Sequence, residues 1–464
     1  MNAPRPLSAA DAPLAFRRFF DELRELFLER EALFTQMELA LLSREHLLIV
    51  GPPGTAKSAV ASAVLARIVD ETTHLPSLFA KQLSEGTVQT DLIGPVDFKV
   101  LTETGRTEYI TEDGMLGAIH AFLDEVFDGR DMLLRSILNV LHERELKHGR
   151  QVTHGRIECA VMTSNRYLSE VLARSPEVLL AFADRLSFIC FVPKSFARPS
   201  SRGVMLTRAT AGQRPELKQT LTIQQLDALQ ALVEKVYVPS VISEALENLA
   251  DSLERALQAQ VAKLPDYVPT KYFSQRSTVK ALWALKAAVV RDRIYRRPDR
   301  PLEAQLDDLD SLRHFFLLGG PPQAEVEALL KSVVDPRERA QLEILRVEHN
   351  AFDEVVAKVK QEVGTGVDRE AQALLVKEDL ALAEQLGKNY QANVALGAAQ
   401  SLTSKLVPGP RHPENRSPLV SAARLLAGAV ELRLSRGMSA QGEGRSGLQL
   451  AASIGEVLEL CRAA

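Results

Sequence analysis

The chain has 464 residues, a length that favours roughly three domains, and its 46% hydrophobic and 25% charged residues are typical of a globular protein with ordinary buried cores. A net charge of −4 argues against a general electrostatic affinity for nucleic acid, and no apolar run is long enough to span a bilayer. The N-terminal residues lack the basic stretch and apolar core of a secretory signal, so we expect a cytoplasmic protein.

Apolar residues recur at helical spacing over residues 14–43 and predict two helices. The aromatic members of this stripe are Phe16, Phe19, Phe20, Phe27 and Phe34. We interpret the stripe as core packing, although some of its members could also line a pocket for a nucleotide base.

A strand, a glycine-rich loop and a helix then follow one another directly. The strand is the apolar run 47–50, and the loop with the first helical residues comprises Gly51, Pro52, Pro53, Gly54, Thr55, Ala56, Lys57, Ser58 and Ala59. Such a loop brings backbone N–H groups close to phosphate oxygens, and the new helix adds its positive end. In this pattern Lys57 reaches the β- and γ-phosphates and Ser58 offers its hydroxyl to Mg²⁺. The segment predicts a phosphate-binding loop, against the alternative of a strand–helix turn that binds nothing.

One position of the loop departs from the general pattern, because Ala56 stands where the last glycine is expected. Alanine does not reach positive φ easily, so we expect an ordinary right-handed backbone at Ala56.

After the loop helix, residues 78–83 predict a strand, and two alternating runs, 97–102 and 106–111, predict a β-hairpin through Glu103, Thr104 and Gly105. The apolar strand 118–123 then ends in two acids, Asp124 and Glu125. At the carboxyl end of a strand beside a phosphate loop, Asp124 would organise the hydration shell of Mg²⁺ and Glu125 would polarise the attacking water. The alternative is a pair of solvated acids.

Residues 132–145 predict a helix, and residues 145–159 predict a second hairpin around Gly149. The buried strand 159–164 ends at Asn165, whose amide could hold the nucleophilic water, although asparagine at a strand end also commonly forms an Asx turn. Arg185 precedes another buried strand, 186–192, and is a candidate arginine finger for the γ-phosphate of a neighbouring subunit, against the alternative of a surface cation.

The three cysteines are too few and too scattered for a disulfide framework or a metal site. Cys159 and Cys190 lie within predicted strands and are most simply small core residues, and Cys461 lies near the C-terminus.

Taken together, the segments GPPGTAKS, FLDE, TSN and ADR resemble the MoxR family of AAA+ ATPases, in particular its RavA-like branch. Further matching stretches are TDLIGPVDFKVL and LLRSILNVLHERELKHGRQV, and the resemblance covers roughly residues 14–318. It implies an α/β AAA+ P-loop domain with a five-stranded parallel sheet, followed by an all-α lid. It also implies a ring hexamer that hydrolyses ATP with Mg²⁺ and works with a von Willebrand factor A (vWA) domain partner to remodel or mature other proteins.

The resemblance assigns roles to individual positions. Lys57 and Ser58 match the Walker A pair, and Asp124 and Glu125 match the Walker B pair. Asn165 looks like sensor 1, Arg185 looks like the arginine finger, and Arg276, at the head of the predicted helix 277–293, looks like the sensor 2 residue that contacts the γ-phosphate. Whether Arg276 would act within its own subunit or on a neighbour is left open.

Three domains are expected: an α/β nucleotide-binding domain over 1–195, a helical lid over 196–320, and an all-α C-terminal region over 321–464 with a proline-rich linker at 406–418. The basic run 290–301 reads as a solvated helix end, and Gly319 to Pro322 read as the end of the lid. An amphipathic stripe runs from 342 to 363, breaks at residues 364–366 and resumes, which predicts a helical hairpin and internal packing of the stripe, with a partner-docking arm as the alternative. Two short helices, 419–436 and 446–462, close the chain.

The leading functional hypothesis is a ring-forming, ATP-hydrolysing remodelling chaperone that acts on protein substrates. Two alternatives are a DNA-dependent motor, which the acidic balance disfavours, and a nucleotide-gated scaffold. A contact with nucleic acid is not expected.

Overall fold

The computed structural model describes residues 11–148, 151–168, 170–171, 184–211, 216–261, 267, 269–271 and 273–371. The chain divides into two compact units, Met1–Val359 and Lys360–Ala464. The first unit holds an α/β layer built on a five-stranded parallel sheet, so the predicted fold class is confirmed for this part of the chain. The three-domain division proposed from the sequence stays a prediction.

The strands of the described residues are β1 (Leu47–Val50), β2 (Ile68–Val69), β3 (Leu78–Gln82), β4 (His120–Asp124), β5 (Glu145–His148), β6 (Gln151–His154), β7 (Cys159–Ser164), β8 (Phe188–Phe191) and β9 (Leu221–Thr222). The α-helices there are α1 (Ala12–Leu26), α2 (Glu31–Ser43), α3 (Lys57–Leu65), α4 (Thr90–Ile93), α5 (Phe98–Thr104), α6 (Asp131–Glu143), α7 (Pro199–Thr210), α8 (Ile223–Glu234), α9 (Ser240–Val261), α10 (Gln275–Tyr295), α11 (Arg313–Phe316), α12 (Gln323–Ser332) and α13 (Pro336–Ala371).

The main sheet has the strand order β3-β4-β7-β1-β8. Strands β1, β7 and β8 are buried along their whole length, as expected for parallel strands covered on both faces. Burial raises the pKa of the Cys159 thiol and raises that of Cys190 to about 12, which confirms both as inert core residues. Cys461 lies outside the described residues.

The two N-terminal helices confirm the prediction for residues 14–43. Phe16, Phe19, Phe20 and Phe34 are completely buried, and their rings contact one another with centroids 4.9 to 6.2 Å apart. The aromatic stripe therefore packs a core.

The hairpin predicted over residues 97–111 is wrong, because residues 98–104 form helix α5. Asp97 caps this helix by accepting hydrogen bonds from the backbone N–H groups of Lys99 (2.9 Å) and Val100 (3.1 Å). Gly105, with φ +68°, ends it. A single antiparallel bridge, Val96 to Tyr109, is what remains of the expected strand pairing. The second predicted hairpin is confirmed as the antiparallel pair β5–β6.

Helices α8, α9 and α10 form the helical region that the sequence predicted after the α/β layer. The interpretation of the basic run 290–301 as a solvated helix end is wrong for Arg300, which is only 6% exposed. The Arg300 guanidinium donates to the carboxylates of Asp292 (2.9 Å) and Asp308 (2.6 Å). These acids neutralise part of the run and tie it to the 3₁₀ segment Leu306–Leu312.

The predicted break at residues 364–366 is also wrong, since α13 runs without interruption from Pro336 to Ala371. A glycine inside a helix costs about 1 kcal/mol relative to alanine, which is too little to end a helix of this length by itself. Leu342, Leu345, Phe352 and Val359 of its apolar stripe are buried, which confirms internal packing. The second arm of the expected hairpin, the linker at 406–418 and the two closing helices lie outside the described residues. Within the described ranges, no helix is both long and apolar enough to cross a bilayer.

Candidate nucleotide-binding site

The candidate site lies where the carboxyl ends of β1, β4 and β7 meet. Parallel strands deliver the residues that follow them to the same edge of a sheet, which is where open α/β folds bind ligands. The phosphate loop follows β1, Asp124 and Glu125 stand at the end of β4, and Asn165 follows β7. Hydrogen bonds connect all of these segments.

The loop begins in a position that accepts only glycine. Gly51 has φ +154°, and a Cβ atom built on it would lie 2.3 Å from the carbonyl oxygen of Val192, at the end of β8. Its N–H donates to the carbonyl oxygen of Ser164 at 3.2 Å. The loop is thereby seated against two neighbouring strands.

The expectation of a right-handed backbone at Ala56 is wrong. Ala56 has φ 66° and ψ 21°, a left-handed conformation, and it precedes the first residue of α3. The loop geometry thus overrides the preference of alanine at a cost of about 1 kcal/mol. The helix N-terminus that follows leaves its first N–H groups without intrahelical partners, which is the arrangement that receives phosphate oxygens.

Lys57 is only 5% exposed. Its ammonium donates to the carbonyl oxygens of Gly51 and Pro52, both at 2.8 Å, and to Oδ1 of Asn165 at 2.7 Å. Burial lowers the pKa of Lys57 to about 8, while the charges of Glu125 and Asp124 act in the opposite direction. The lysine therefore lies inside the site, within reach of the residue that follows β7.

Asp124 connects the loop helix to β7. Its Oδ1 accepts a hydrogen bond from the hydroxyl of Ser58 at 2.8 Å and another from the hydroxyl of Thr163. The sequence reasoning missed Thr163, although the strand pairing contains the signal: Leu123 is paired with Met162, so the next residues, Asp124 and Thr163, stand side by side. The hydroxyl and the carboxylate of the predicted metal pair, Ser58 and Asp124, are thus adjacent.

Glu125 and Asn165 form a second connected pair. The Asn165 backbone N–H donates to Oε2 of Glu125 at 3.1 Å, and the Asn165 side-chain amide donates to Oε1. Burial raises the pKa of Glu125, with the charges of Asp124 and Asp128 acting in the same direction, against the Asn165 N–H and Lys57, which lower it. Because the oxygen of the Asn165 amide accepts from Lys57, this one side chain bridges the loop lysine and the second acid.

The side-chain oxygen of Asn165 accepts from Lys57, and the side-chain turn at this position is an ST turn made by its neighbour, Ser164. The backbone N–H of Arg166 donates to the hydroxyl of Ser164 at 2.9 Å, which leaves the Asn165 side chain directed to Lys57 and Glu125. Arg166 itself forms an ion pair with Asp128 at 2.6 Å beside the site.

The two predicted arginines lie in a different cluster. Nη1 of Arg276 donates to Oδ2 of Asp184 at 2.5 Å, and the hydroxyl of Ser274 donates to Oδ1 of the same acid at 2.8 Å. Arg185 is the next residue along the chain. The pKa of His142 on α6 is lowered by burial and by the positive charges of Arg276, Lys280 and Arg185. No pattern in the sequence indicates the Asp184 contacts.

The sheet is parallel, a glycine-containing loop follows a central strand, an acidic pair follows a second strand, and a polar amide follows the strand between them. This arrangement defines the AAA+ class of P-loop α/β domains. Residues 15–233 match the family model described as the MoxR domain in the MoxR-vWA-beta-propeller ternary systems. This region of the chain is thus similar to MoxR domains.

Three curated proteins illustrate the relationship. An uncharacterized protein of Methanocaldococcus jannaschii is 28% identical over 296 residues, which cover 64% of this chain and 68% of that protein. A second uncharacterized protein of the same organism is 32% identical over 168 residues, covering 36% of this chain and 42% of that protein. The chaperone MoxR1 of Mycobacterium tuberculosis is 25% identical over 312 residues, covering 67% of this chain and 77% of the chaperone.

Proposed function

We propose that this chain is an ATPase that hydrolyses ATP with Mg²⁺ and uses the energy to remodel, mature or assemble partner proteins. The observation that carries the proposal is the connected set Lys57, Ser58, Asp124, Glu125 and Asn165, in which hydrogen bonds link three strand ends around one phosphate loop. The MoxR domain match and the relationship to a MoxR chaperone support the chaperone-like role.

The phosphate loop, Gly51 to Ala59, would hold the triphosphate. Backbone N–H groups at the start of α3 would receive the phosphate oxygens, and the Lys57 ammonium would exchange its contacts with the Gly51 and Pro52 carbonyls for contacts with the β- and γ-phosphates. That exchange would also release Oδ1 of Asn165, because the same ammonium occupies it.

The donor set fits Mg²⁺. The hydroxyl of Ser58 and the carboxylate of Asp124 are hard oxygen ligands 2.8 Å apart, and Mg²⁺ characteristically takes one or two protein oxygens together with water and substrate phosphates. When bound there, the ion would neutralise charge that develops on the phosphate oxygens. Thr163 would hold the Asp124 carboxylate in place.

Glu125 and Asn165 would act on the water. Glu125 would accept a proton from the attacking water as its oxygen bonds to the γ-phosphorus and the bond to ADP breaks, which yields ADP and phosphate. The raised pKa of Glu125 moves this carboxylate closer to the range of an effective general base. Asn165, which donates two hydrogen bonds to Glu125, would fix its orientation and contribute to holding the water.

The remaining parts of the proposal concern assembly. Arg185 would serve the nucleotide of a neighbouring subunit in a homohexameric ring, and Arg276 would be the sensor 2 residue. A vWA-domain protein is the proposed partner, which the name of the matched family supports. A cytoplasmic location and a place in the RavA-like branch stay predictions from the sequence.

The proposal is tested by two variants with matched controls. Lys57→Ala should abolish nucleotide binding, while Glu125→Gln should bind ATP like the parent and lose on the order of 10²-fold or more in kcat. Lys331→Ala and Glu354→Gln, which change exposed side chains of the same types, should leave both properties unchanged. Equal turnover in Glu125→Gln and the parent would refute the proposed chemistry.

The remodelling role needs a separate measurement. A protein substrate that unfolds or assembles only in the presence of this chain and hydrolysable ATP would support it. A response that is identical with a non-hydrolysable ATP analogue would favour the nucleotide-gated scaffold instead.

A further inference from the structure

The four residues that lead into β8, Asp184 to Ser187, are held by side chains from a single later stretch of the chain. We call these four residues the finger segment, because they include Arg185, and we call Lys271, Ser274, Arg276 and Lys280 the clamp. Ser274 and Arg276 bind the carboxylate of Asp184. The two lysines bind the backbone of the residues that follow.

The lysine contacts occupy three successive backbone carbonyls. The Lys280 ammonium donates to the carbonyl oxygen of Arg185 at 2.7 Å. The Lys271 ammonium donates to the carbonyl oxygens of Leu186 and, at 3.0 Å, Ser187. Because the carbonyl groups of Arg185 and of the next two residues are all bound, the clamp fixes the direction of the backbone at Arg185.

Lys280 also ties the finger segment to the start of the α/β layer. Its ammonium forms an ion pair with the Glu45 carboxylate at 2.6 Å. The same carboxylate accepts a hydrogen bond from the hydroxyl of Ser187 at 2.5 Å. Glu45 lies two residues before β1, the strand that leads into the phosphate loop. The clamp therefore spans the lid helix α10, the finger segment and the base of the sheet.

A lysine at position 271 carries a large desolvation cost for a core position. It is 5% exposed, its ammonium lies 4.3 Å from the centroid of the Phe315 ring, and burial lowers its pKa to about 7. A residue needed only for packing would be less costly as an apolar side chain, since a buried charge must be compensated by hydrogen bonds. The Lys271 ammonium donates hydrogen bonds to backbone carbonyls, which leucine or methionine could not do.

We propose that the clamp is the positioning device for Arg185, with Lys280 and Lys271 as positioning residues, so that the lid of one subunit sets the orientation of the finger that this subunit offers to its neighbour. This inference rests on the proposed ATPase function. It assigns Arg276 the role of holding Asp184. It also implies that the loss of a clamp residue impairs the active site of the neighbouring subunit.

The test uses the full chain with Lys280→Met, and with Lys286→Met as the control. Lys286 lies on the same helix, and it contacts Trp283 and the carbonyl oxygen of Glu234 instead of the finger segment. Lys280→Met should bind ATP with the parental Kd but show a kcat about 100-fold lower, the loss expected from a small misplacement of a catalytic group. Lys286→Met should match the parent, and Lys280→Arg, which keeps a cationic donor, should recover part of the loss.

Mixed oligomers separate a trans defect from a local one. Glu125→Gln subunits turn over ATP on the order of 10²-fold or more slowly than the parent but carry an intact clamp and finger. Mixing them with Lys280→Met subunits should raise the ATPase rate well above the sum of the two proteins measured apart. If Lys280→Met hydrolyses ATP like the parent, if it loses ATP binding while folded, or if mixing restores nothing, the inference is overturned and the proposed ATPase function still stands.

Two further outcomes complete the test. If Lys280→Met does not fold, Asp184→Asn replaces it, because this change removes the charge that Ser274 and Arg276 bind, and the same pattern of retained Kd, lowered kcat and rescue by mixing is expected. If the parent protein itself shows no ATPase activity as an oligomer, the proposed function fails and the inference fails with it.

Discussion

The substitution Glu38→Gln should destabilise the fold by an amount that the structure allows us to work out. Glu38 lies on α2, and its side chain has no exposed surface. Oε1 accepts hydrogen bonds from Nη2 of Arg24 and from the hydroxyl of Tyr295, both at 2.5 Å, and Oε2 accepts from Nε of Arg291 at 2.6 Å. One carboxylate therefore joins α1, α2 and α10.

The magnitude follows from what glutamine can and cannot replace. Its amide oxygen keeps one acceptor position, but its NH₂ group would face an arginine donor. Arg291 would lose its counter-charge, and Arg24 would keep only Asp21, whose carboxylate lies 3.6 Å away. Removing one partner from a buried ion pair costs about 3–5 kcal/mol. Because the side chains of Arg24 and Arg291 are 21% and 23% exposed, water recovers part of their solvation, so we expect the lower end of that range, about 3 kcal/mol.

The assay is urea unfolding followed by the fluorescence of Trp283, which is the only tryptophan in the chain and lies on α10, the helix that carries Arg291 and Tyr295. The control is Glu327→Gln, which removes an exposed pair with Arg346 at 3.9 Å and should cost less than about 1 kcal/mol. Midpoints for Glu38→Gln and Glu327→Gln that coincide would refute the reasoning that Glu38 is a structural junction.

Two further predictions concern His120 and Ala56. Burial lowers the pKa of His120 to about 4 from an ordinary value of 6.5, so its contribution to stability is complete above pH 6.5 and is lost as the pH falls through 4. His120→Leu should therefore flatten the decline of the unfolding free energy in that window by about 1.4 kcal/mol per pH unit, and parallel pH profiles for variant and parent would contradict this. Ala56→Gly should stabilise the protein by up to about 1 kcal/mol because glycine tolerates φ 66°, whereas Ala56→Val should destabilise it, and thermal unfolding that orders the two variants the other way would contradict the strain.

The convergence of Lys57, Ser58, Asp124, Glu125 and Asn165 at one edge of the sheet could be predicted from the sequence, and the reason is geometric. Lys57 and Ser58 follow the loop after β1, and Asp124, Glu125 and Asn165 stand at or directly after the ends of β4 and β7. Each of these strands is an apolar run that is recognisable as a buried parallel strand. Local pattern identifies the strand, and parallel pairing then brings the strand ends together without further information. Distance along the chain does not matter for such residues, which is why Lys57 and Asn165 meet across 108 positions.

The incorrect expectations arose where local pattern admits two structures. Residues 97–102 alternate like a strand, but Asp97 is also an N-cap residue, and its two backbone hydrogen bonds select the helix. At Ala56 the preference of the residue is weak compared with the requirement that the chain turn from β1 into α3. In both cases the intrinsic preference that the surrounding contacts override is only about 1 kcal/mol.

The clamp illustrates a group of residues that no local pattern could have revealed. Lys271 and Lys280 look like ordinary lysines in the sequence, since neither follows a strand end nor belongs to a recognisable motif. Their significance comes from three carbonyls that lie 84 to 95 residues earlier and from the burial of Lys271. A lysine is retained in such a position only if its hydrogen bonds offset its desolvation, and both buried lysines of the described residues, Lys57 and Lys271, donate to backbone carbonyls. Lys57 binds two carbonyls of the segment proposed to bind phosphate, and Lys271 binds two carbonyls of the segment proposed to carry the finger.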